Sequence, residues 1–210
     1  MIKHIVLIFI SIFFIFGIIS YPYLPDKIAS HWNAKGEVDG YLPKLSIFLL
    51  PLIYSGISSL FLIIPRIDPL GVNIEKFRKY YDWFIIIFSI FFLLIYSHTI
   101  LWNLGFQISP LIPIFIGIGF LFFYIGVLLE KAKRNWFIGI RTPWTLSSDI
   151  VWEKTHKIGG KMFKIIGIIA IFGIIIPEYG IFLILASIIF IIVYTTIYSY
   201  FEYIKEKKNN

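Results

Sequence analysis

Long runs of apolar residues, separated by connections that carry most of the lysines and arginines, are the feature that most constrains this chain. Most of these runs approach the ~20 residues that a helix needs to cross the hydrocarbon core of a bilayer. Hydrocarbon offers no hydrogen-bond partner to backbone N–H and C=O groups, so runs of this length are predicted to be helical. We predict six transmembrane helices, at about 5–21, 45–64, 83–102, 110–129, 162–177 and 180–200.

The first and the fifth of these segments are less typical transmembrane helices than the others. The first resembles a signal peptide, but its apolar run is longer than a signal core and no small-x-small cleavage site follows, so we interpret it as a retained helix. The fifth is short and ends at Pro177, so Lys164 must reach the headgroups along the helix. The composition, with 59% hydrophobic residues, lies outside the range of soluble domains. The predicted class is an all-α integral protein of the cell membrane.

The distribution of positive charge predicts which side each connection occupies. Of 19 lysines and arginines, Lys27, Lys35 and Lys44 fall on one side of a six-helix arrangement, and Lys164 lies at a boundary. The other fifteen are in the N-terminus, the 65–82 and 130–161 loops and the tail. Because lysine and arginine concentrate on the cytoplasmic side, both termini are predicted to be cytoplasmic.

Several function classes are disfavoured by what the chain contains. The formal charge of +7 lies in connections between apolar runs, where it sets membrane orientation, so direct nucleic-acid binding is not expected. With no cysteine there is no disulfide framework and no thiolate site. Acidic and basic residues avoid the middle of every predicted span, which argues against a proton- or ion-coupled pump. No cofactor is predicted.

The 22–44 connection is predicted to be a compact outer loop, because Asn33 to Gly36 and Asp39-Gly40 have turn chemistry. His31 with Asp26, Glu37 and Asp39 supplies metal-ligand types, and His31 and Asp39 are the weak metal candidates. The spacing fixes no coordination geometry, so we prefer a loop in which His31 and Trp32 lie at headgroup level. The outer-loop candidates for contact are His31, Trp32, Asn33, Gly36, Asp39 and Gly40.

The 130–161 loop is the richest in information. Ser and Asp at 147–149 predict a helix start, and an apolar stripe through Val151, Thr155, Ile158 and Met162 predicts a short amphipathic cytoplasmic helix before the fifth span. Gly159-Gly160 either ends this helix or allows another backbone to approach closely.

The residue types of this loop suggest two kinds of chemistry. Ser147 or Ser148 with Asp149 and His156 has the residue types of a hydrolase triad, but all fall on one short helix, so we predict no enzyme. Arg141 among tryptophans has a planar fork suited to a phosphate or carboxylate, although an interfacial aromatic belt with a cation toward anionic lipid is the preferred interpretation.

The motifs also resemble known families. His31-Trp32-Asn33, Gly36 and Asp39-Gly40-Tyr41 look like an uncharacterised N-terminal membrane domain, although Ala29 replaces a common proline. The segment from Asn135 to Gly160, with Gly139-Ile140-Arg141-Thr142-Pro143-Trp144 at its centre, is similar to the SdpI family signature, with Ile150 where an acidic residue is common. We therefore expect an N-terminal two-helix unit at 1–65 and a four-helix SdpI-like region at 66–210.

This resemblance implies a multipass immunity protein that protects a cell from a secreted, membrane-active toxin peptide. The best-known member of the family also holds a transcriptional repressor at the membrane, which makes a cytoplasmic repressor a second expected partner. The alternative is a small transporter or a lipid-headgroup-binding protein. The positions that the resemblance assigns to partner or ligand contact are Arg141, Thr142, Pro143, Trp144, Ser148, Asp149, Trp152, His156 and Gly160.

Overall fold

The computed structural model describes residues 1–209, and helices dominate it. Six helices have 19 or more residues, and two short helices lie in the connections between them. In chain order they are α1 (Ile2–Ser20), α2 (Leu49–Ile67), α3 (Gly71–Glu75), α4 (Arg78–Asn103), α5 (Leu111–Lys131), α6 (Pro143–Ser147), α7 (Asp149–Phe172) and α8 (Pro177–Asn209).

Five of the long helices are long and apolar enough to cross a membrane: α1, α2, α4, α5 and α8. The protein is a multi-pass membrane protein built mainly of helices. The exception is α7, whose first half carries acidic and basic residues at positions such as Glu153, Lys157 and Lys161. A six-span topology with cytoplasmic termini therefore stays a prediction.

The prediction of a separate amphipathic helix before the fifth span is wrong. Residues 149–161 and the apolar segment after them form one continuous helix, α7, which ends at Phe172 rather than at Pro177. The predicted cap is confirmed, because the Ser148 side chain accepts from the Val151 N–H. Gly159-Gly160 does not end the helix, and its second interpretation, a close backbone approach, is the correct one.

That close approach is a glycine seam between α5 and α7. A methyl group on Gly160 would lie 2.7 Å from the Gly126 carbonyl oxygen, and one on Gly167 would lie 2.6 Å from that of Gly119. Neither position has room for a side chain. Small residues of this kind let two membrane helices pack at backbone distance, and a Glu130–Lys164 ion pair of 2.7 Å adds a polar link beside the seam.

The outer loop is a β-hairpin, so the chain is not strictly all-α. Strands β1 (Lys27–Trp32) and β2 (Val38–Pro43) pair antiparallel, with irregular register between Ala29 and Trp32. The compact loop was expected, but its strands were not. The hairpin is fixed to the end of α4 by the Asn103 side chain, which accepts from the Ala29 N–H at 2.7 Å and donates to the Ala29 carbonyl at 3.1 Å.

The four cation-rich segments meet at the end of the structure opposite the hairpin. Asp68 accepts from the Trp136 N–H at 2.8 Å, which joins the 65–82 loop to the 130–161 loop. Lys154 pairs with Glu202 at 2.7 Å and so joins α7 to the tail of α8. The start of α1 belongs to the same core, since Ile2 is buried there with Trp152. This grouping agrees with the charge pattern. The division into units at 65/66 stays a prediction.

Candidate functional site

At the cation-rich end, the segment between α5 and α7 is organised by one buried asparagine, Asn135. Its amide N–H groups donate to the carbonyls of Lys133 (2.8 Å) and Ile138 (2.9 Å). Its carbonyl oxygen accepts from the N–H groups of Phe137 (3.0 Å) and Ile138 (2.6 Å). Asn135 is completely buried. An irregular backbone segment is thereby given internal hydrogen-bond partners close to the membrane surface.

Beneath this loop, Trp152 and His156 stack with ring centroids 3.9 Å apart. The Trp152 indole N–H donates to the Ala132 carbonyl at 2.9 Å. His156 Nε2 accepts from the Ile140 N–H at 2.9 Å, so its proton lies on Nδ1, which donates to the Trp152 carbonyl at 2.8 Å. Burial lowers the pKa of His156 to about 4. The imidazole is therefore neutral at ordinary pH and ties the loop to α7.

One side of the loop is held by a hydroxyl network. Thr142 and Thr145 form a capping box at the start of α6. Thr145 also donates to the Ile140 carbonyl at 2.8 Å, and the Thr142 hydroxyl lies 3.0 Å from that of Ser199 in α8. Pro143 occupies the first turn of α6, where its missing N–H costs nothing. The loop is thus bound to α6 and to α8.

The exposed part of the loop carries Arg141, Trp144 and Asp149. The Arg141 guanidinium donates to the Trp136 carbonyl at 2.7 Å within the same loop. Trp144 packs edge-on against Tyr200, with centroids 5.2 Å apart. Asp149 pairs with Arg134 at 2.8 Å while its side chain stays 75% exposed. These three side chains are placed where a partner from the aqueous phase can reach them.

A polar cavity of about 300 Å³ opens beside these groups. Asn73 crosses to it from α3 and donates to the Arg134 carbonyl at 2.8 Å, and Lys76 donates to the Asn73 side chain at 2.8 Å. Its wall thus combines three cations with carboxylates and the buried aromatic pair. The lining residues are Asn73, Lys76, Leu129, Glu130, Ala132, Lys133, Arg134, Asp149, Trp152, Glu153 and His156.

The hairpin end is built differently. His31 Nδ1 lies 2.5 Å from the Asp39 carboxylate, and the two side chains are 72% and 44% exposed. The other two acidic candidates are engaged elsewhere, since Asp26 pairs with Lys44 at 3.2 Å and Glu37 accepts from Asn33 at 2.9 Å. Within residues 1–209, no three metal-ligating side chains come together. The weak metal proposal for His31 and Asp39 gains no support.

The remaining hairpin candidates hold the turn and dock it. Asn33 accepts from the N–H groups of Lys35 and Glu37, and Gly36 adopts a φ of +80°. Trp32 packs against His98 and Trp102 of α4, with centroids 5.9 and 5.7 Å away. Gly40 faces His31, whose Cβ would lie 2.9 Å from an added methyl group.

Comparison with known proteins identifies both signature regions. Residues 131–199 match the SdpI/YfhL protein family, and residues 7–54 match a domain of unknown function, DUF1648. We call residues 131–199 the SdpI-family region, because they match the model of that family. Over 203 residues it is 27% identical to "Immunity protein SdpI" of Bacillus subtilis (strain 168), covering 95% of this chain and 94% of that protein. No solved structure matches.

Within the SdpI-family region, the residues assigned from the signature separate into two groups. Thr142, Ser148, Trp152, His156 and Gly160 are buried and serve hydrogen bonding or packing, whereas Arg141, Pro143, Trp144 and Asp149 lie at the surface or partly so. His156 has no free nitrogen for Ser147 or Ser148, so these side chains form no catalytic arrangement.

The structure also adds residues that the candidate set lacks. Asn135 and Arg134 belong to the SdpI-family region, and the Asx-turn chemistry of Asn135 is a signal that could have identified it. Asp68, Asn73 and Lys76 come from the distant 65–82 loop, and the partners of Asp68 and Asn73 lie 68 and 61 positions away. No local pattern marks such residues as part of this site.

Proposed function

We propose that this protein is a membrane immunity protein that protects the producing cell from a secreted, membrane-active peptide. The observation that carries this proposal is the similarity to an immunity protein over 95% of the chain, which includes both the hairpin and the SdpI-family region. No catalytic chemistry is required for such a role. Binding the peptide, or excluding it from its target in the membrane, would be sufficient.

The outer hairpin is the element proposed to meet the peptide. It extends from α1 and α2 on the side opposite the cation-rich loops, and Asn103 and the aromatic contact of Trp32 hold it against α4. Tyr41 is 62% exposed on the second strand. A rigid loop with exposed side chains pays little ordering entropy on binding, which favours recognition.

The cation-rich end is proposed to meet a cytoplasmic protein, for which a transcriptional repressor is the candidate. Trp136 is 50% exposed and Ile150 is 54% exposed, beside the charged groups Arg141 and Asp149. Aromatic residues and arginine are the side chains most enriched at the energetic centres of protein interfaces. A bound peptide at the outer end would have to change this surface through the helices that connect the two ends.

Complementation tests the proposal. A Bacillus subtilis strain lacking its own SdpI is made to express this chain and is exposed to the peptide that kills the deletion strain. Wild-type protein is expected to restore growth. Failure of a protein that reaches the membrane in normal amounts would contradict the immunity function against that peptide.

Variants then separate the two ends. Tyr41→Ala in the hairpin is expected to reduce protection, whereas Arg141→Ala and Trp144→Ala are expected to reduce retention of a repressor while protection is kept. The matched control is Lys27→Ala on the first strand of the hairpin, whose side chain is exposed and which pairs with Pro43 rather than with Tyr41. Equal effects of all four substitutions would refute this division of roles.

The proposed orientation has a direct test, because the chain has no cysteine. Single substitutions Lys35→Cys in the hairpin and Ser147→Cys before α7 provide one thiol each at exposed positions. A membrane-impermeant maleimide is expected to label position 35 in intact cells and position 147 only after permeabilisation. The reverse labelling would overturn the topology and the roles assigned from it.

A further inference from the structure

A second cavity at the cation-rich end lies away from the SdpI-family region. It has a volume of about 390 Å³ and is enclosed by the start of α1, the last turns of α2 and the α3–α4 junction. Its lining changes from apolar to basic across a single space. The lining residues are Ile2, Lys3, Ser59, Leu62, Ile63, Pro65, Arg66, Glu75 and Arg78.

One wall of the cavity is apolar. Leu62 and Ile63 belong to α2, one of the helices long and apolar enough to cross the bilayer, and Ile63 is 45% exposed. Ile2, on the opposite wall, is buried in the core that joins α1 to α4. An acyl chain that enters between α1 and α2 would therefore contact apolar side chains on both walls.

The basic wall carries more positive than negative charge. Arg78 is neutralised locally, because it pairs with Glu75 at 2.9 Å and with Asp82 at 2.7 Å. Lys3 and Arg66 are exposed, and within residues 1–209 neither has a carboxylate at ion-pair distance. Two unpaired cations thus line the end of the cavity farther from the centre of the membrane.

We propose that this cavity binds one anionic phospholipid from the leaflet at the cation-rich end. Its phosphate lies between Lys3 and Arg66, and one acyl chain lies along Leu62 and Ile63. Basic pockets between membrane helices have the charge that attracts anionic headgroups, and a guanidinium matches the geometry of a phosphate. The site is independent of the immunity function, since it uses none of the residues assigned to toxin or repressor contact.

The test uses the full chain purified in detergent and native mass spectrometry. The protein is titrated with phosphatidylglycerol and, separately, with phosphatidylcholine of the same chain lengths. The first bound lipid is expected to be phosphatidylglycerol, with an affinity roughly tenfold higher than that for phosphatidylcholine. Inorganic phosphate at the same concentration is expected not to displace it, because the apolar wall contributes to binding. Displacement by phosphate, or equal affinity for the two lipids, would overturn the proposal.

Matched variants locate the site. The double substitution Lys3→Gln, Arg66→Gln is expected to remove the preference for phosphatidylglycerol. The control Lys207→Gln, Lys208→Gln removes the same charge from the end of α8, and it is expected to keep the preference. If both double variants behave alike, the preference comes from general charge and the site is excluded.

A third variant guards against loss of folding. Ser59→Phe keeps both cations but fills part of the cavity from an exposed position of α2. Its melting temperature is expected to equal that of the wild type, while its affinity for phosphatidylglycerol falls roughly tenfold. Unchanged lipid binding in this variant would show that the lipid lies elsewhere.

Discussion

At each end of this protein an asparagine side chain holds a loop together, but one of these asparagines is near the surface and the other is buried. Asn33 in the outer hairpin and Asn135 in the inner loop each use a side-chain carbonyl to accept from two backbone N–H groups. Asn33 does so at the surface, where water can replace it, whereas Asn135 is completely buried. The outer loop is a hairpin attached at a few points, and the inner loop is an integral part of the helical core.

This difference in burial determines how strongly each loop responds to the loss of a hydrogen bond. Burial makes each lost hydrogen bond expensive, because the group left behind cannot return to water. The inner loop should therefore respond strongly to single substitutions, and the outer hairpin should respond weakly. Three matched pairs of residues test that expectation on the free energy of unfolding.

The largest difference is expected between Gly139→Ala and Gly36→Ala. Both glycines have positive φ, +129° and +80°, so each substitution strains the backbone. At Gly139 the new methyl would also lie 2.3 Å from His156 Nε2, whereas at Gly36 the nearest atom is Ser109 Oγ at 3.3 Å. We expect a loss of about 4 kcal/mol for Gly139→Ala and about 1 to 2 kcal/mol for Gly36→Ala.

Thermal or denaturant unfolding of the purified protein in detergent measures both losses. Because backbone strain is present in both variants, the difference between them measures the steric cost of the added methyl group. Equal destabilisation would mean that strain alone decides the outcome and that His156 moves aside without cost.

A somewhat smaller difference is expected between Asn135→Ala and Asn33→Ala. Removal of the Asn135 amide empties a fully buried position and leaves partly buried backbone groups of Lys133, Phe137 and Ile138 without partners, which we expect to cost about 3 kcal/mol. Removal of the Asn33 amide exposes its partners to water and should cost less than about 1 kcal/mol.

Hydrogen exchange of the backbone amides provides the more specific measurement for this pair. The N–H groups of 137 and 138 are expected to lose protection in Asn135→Ala before the rest of the protein unfolds. Protection that remains unchanged would indicate that other groups hold the inner loop.

The contrast between the two ends also explains which features could be predicted from the sequence. The long helices were predictable because hydrocarbon excludes other backbone conformations. The Ser148 cap was predictable because its partner is three residues away. The continuity of α7 was not, since Gly159-Gly160 has the same local signal whether it ends a helix or packs against Gly126.

The contacts between distant segments could not be predicted from local sequence patterns either. Asp68 and Asn73 meet the inner loop only after the helices between them have packed, so no spacing in the sequence identifies them. The strands of the hairpin escaped detection for a related reason. The first strand is held by a residue 74 positions away, since Asn103 at the end of α4 accepts from the Ala29 N–H and donates to the Ala29 carbonyl.

The smallest of the three expected differences concerns how His156 and His31 affect stability when the pH is lowered. His156 has a folded pKa of about 4, below the ordinary value of 6.5, because it is buried. Between these two values the unfolded chain binds a proton that the folded protein does not, so stability falls as the pH is lowered through this range. From pH 7.5 to pH 5 the expected loss of unfolding free energy from His156 is about 2 kcal/mol.

In His156→Gln this loss should disappear, although the variant is less stable at every pH because Gln cannot reproduce the stack on Trp152. His31→Gln removes an exposed pairing with Asp39 and should change the unfolding free energy by less than about 1 kcal/mol at either pH. Unfolding curves at the two pH values measure all three proteins, and an acid-induced loss in His156→Gln equal to that of the wild type would assign the effect to another group and remove the buried histidine from the comparison.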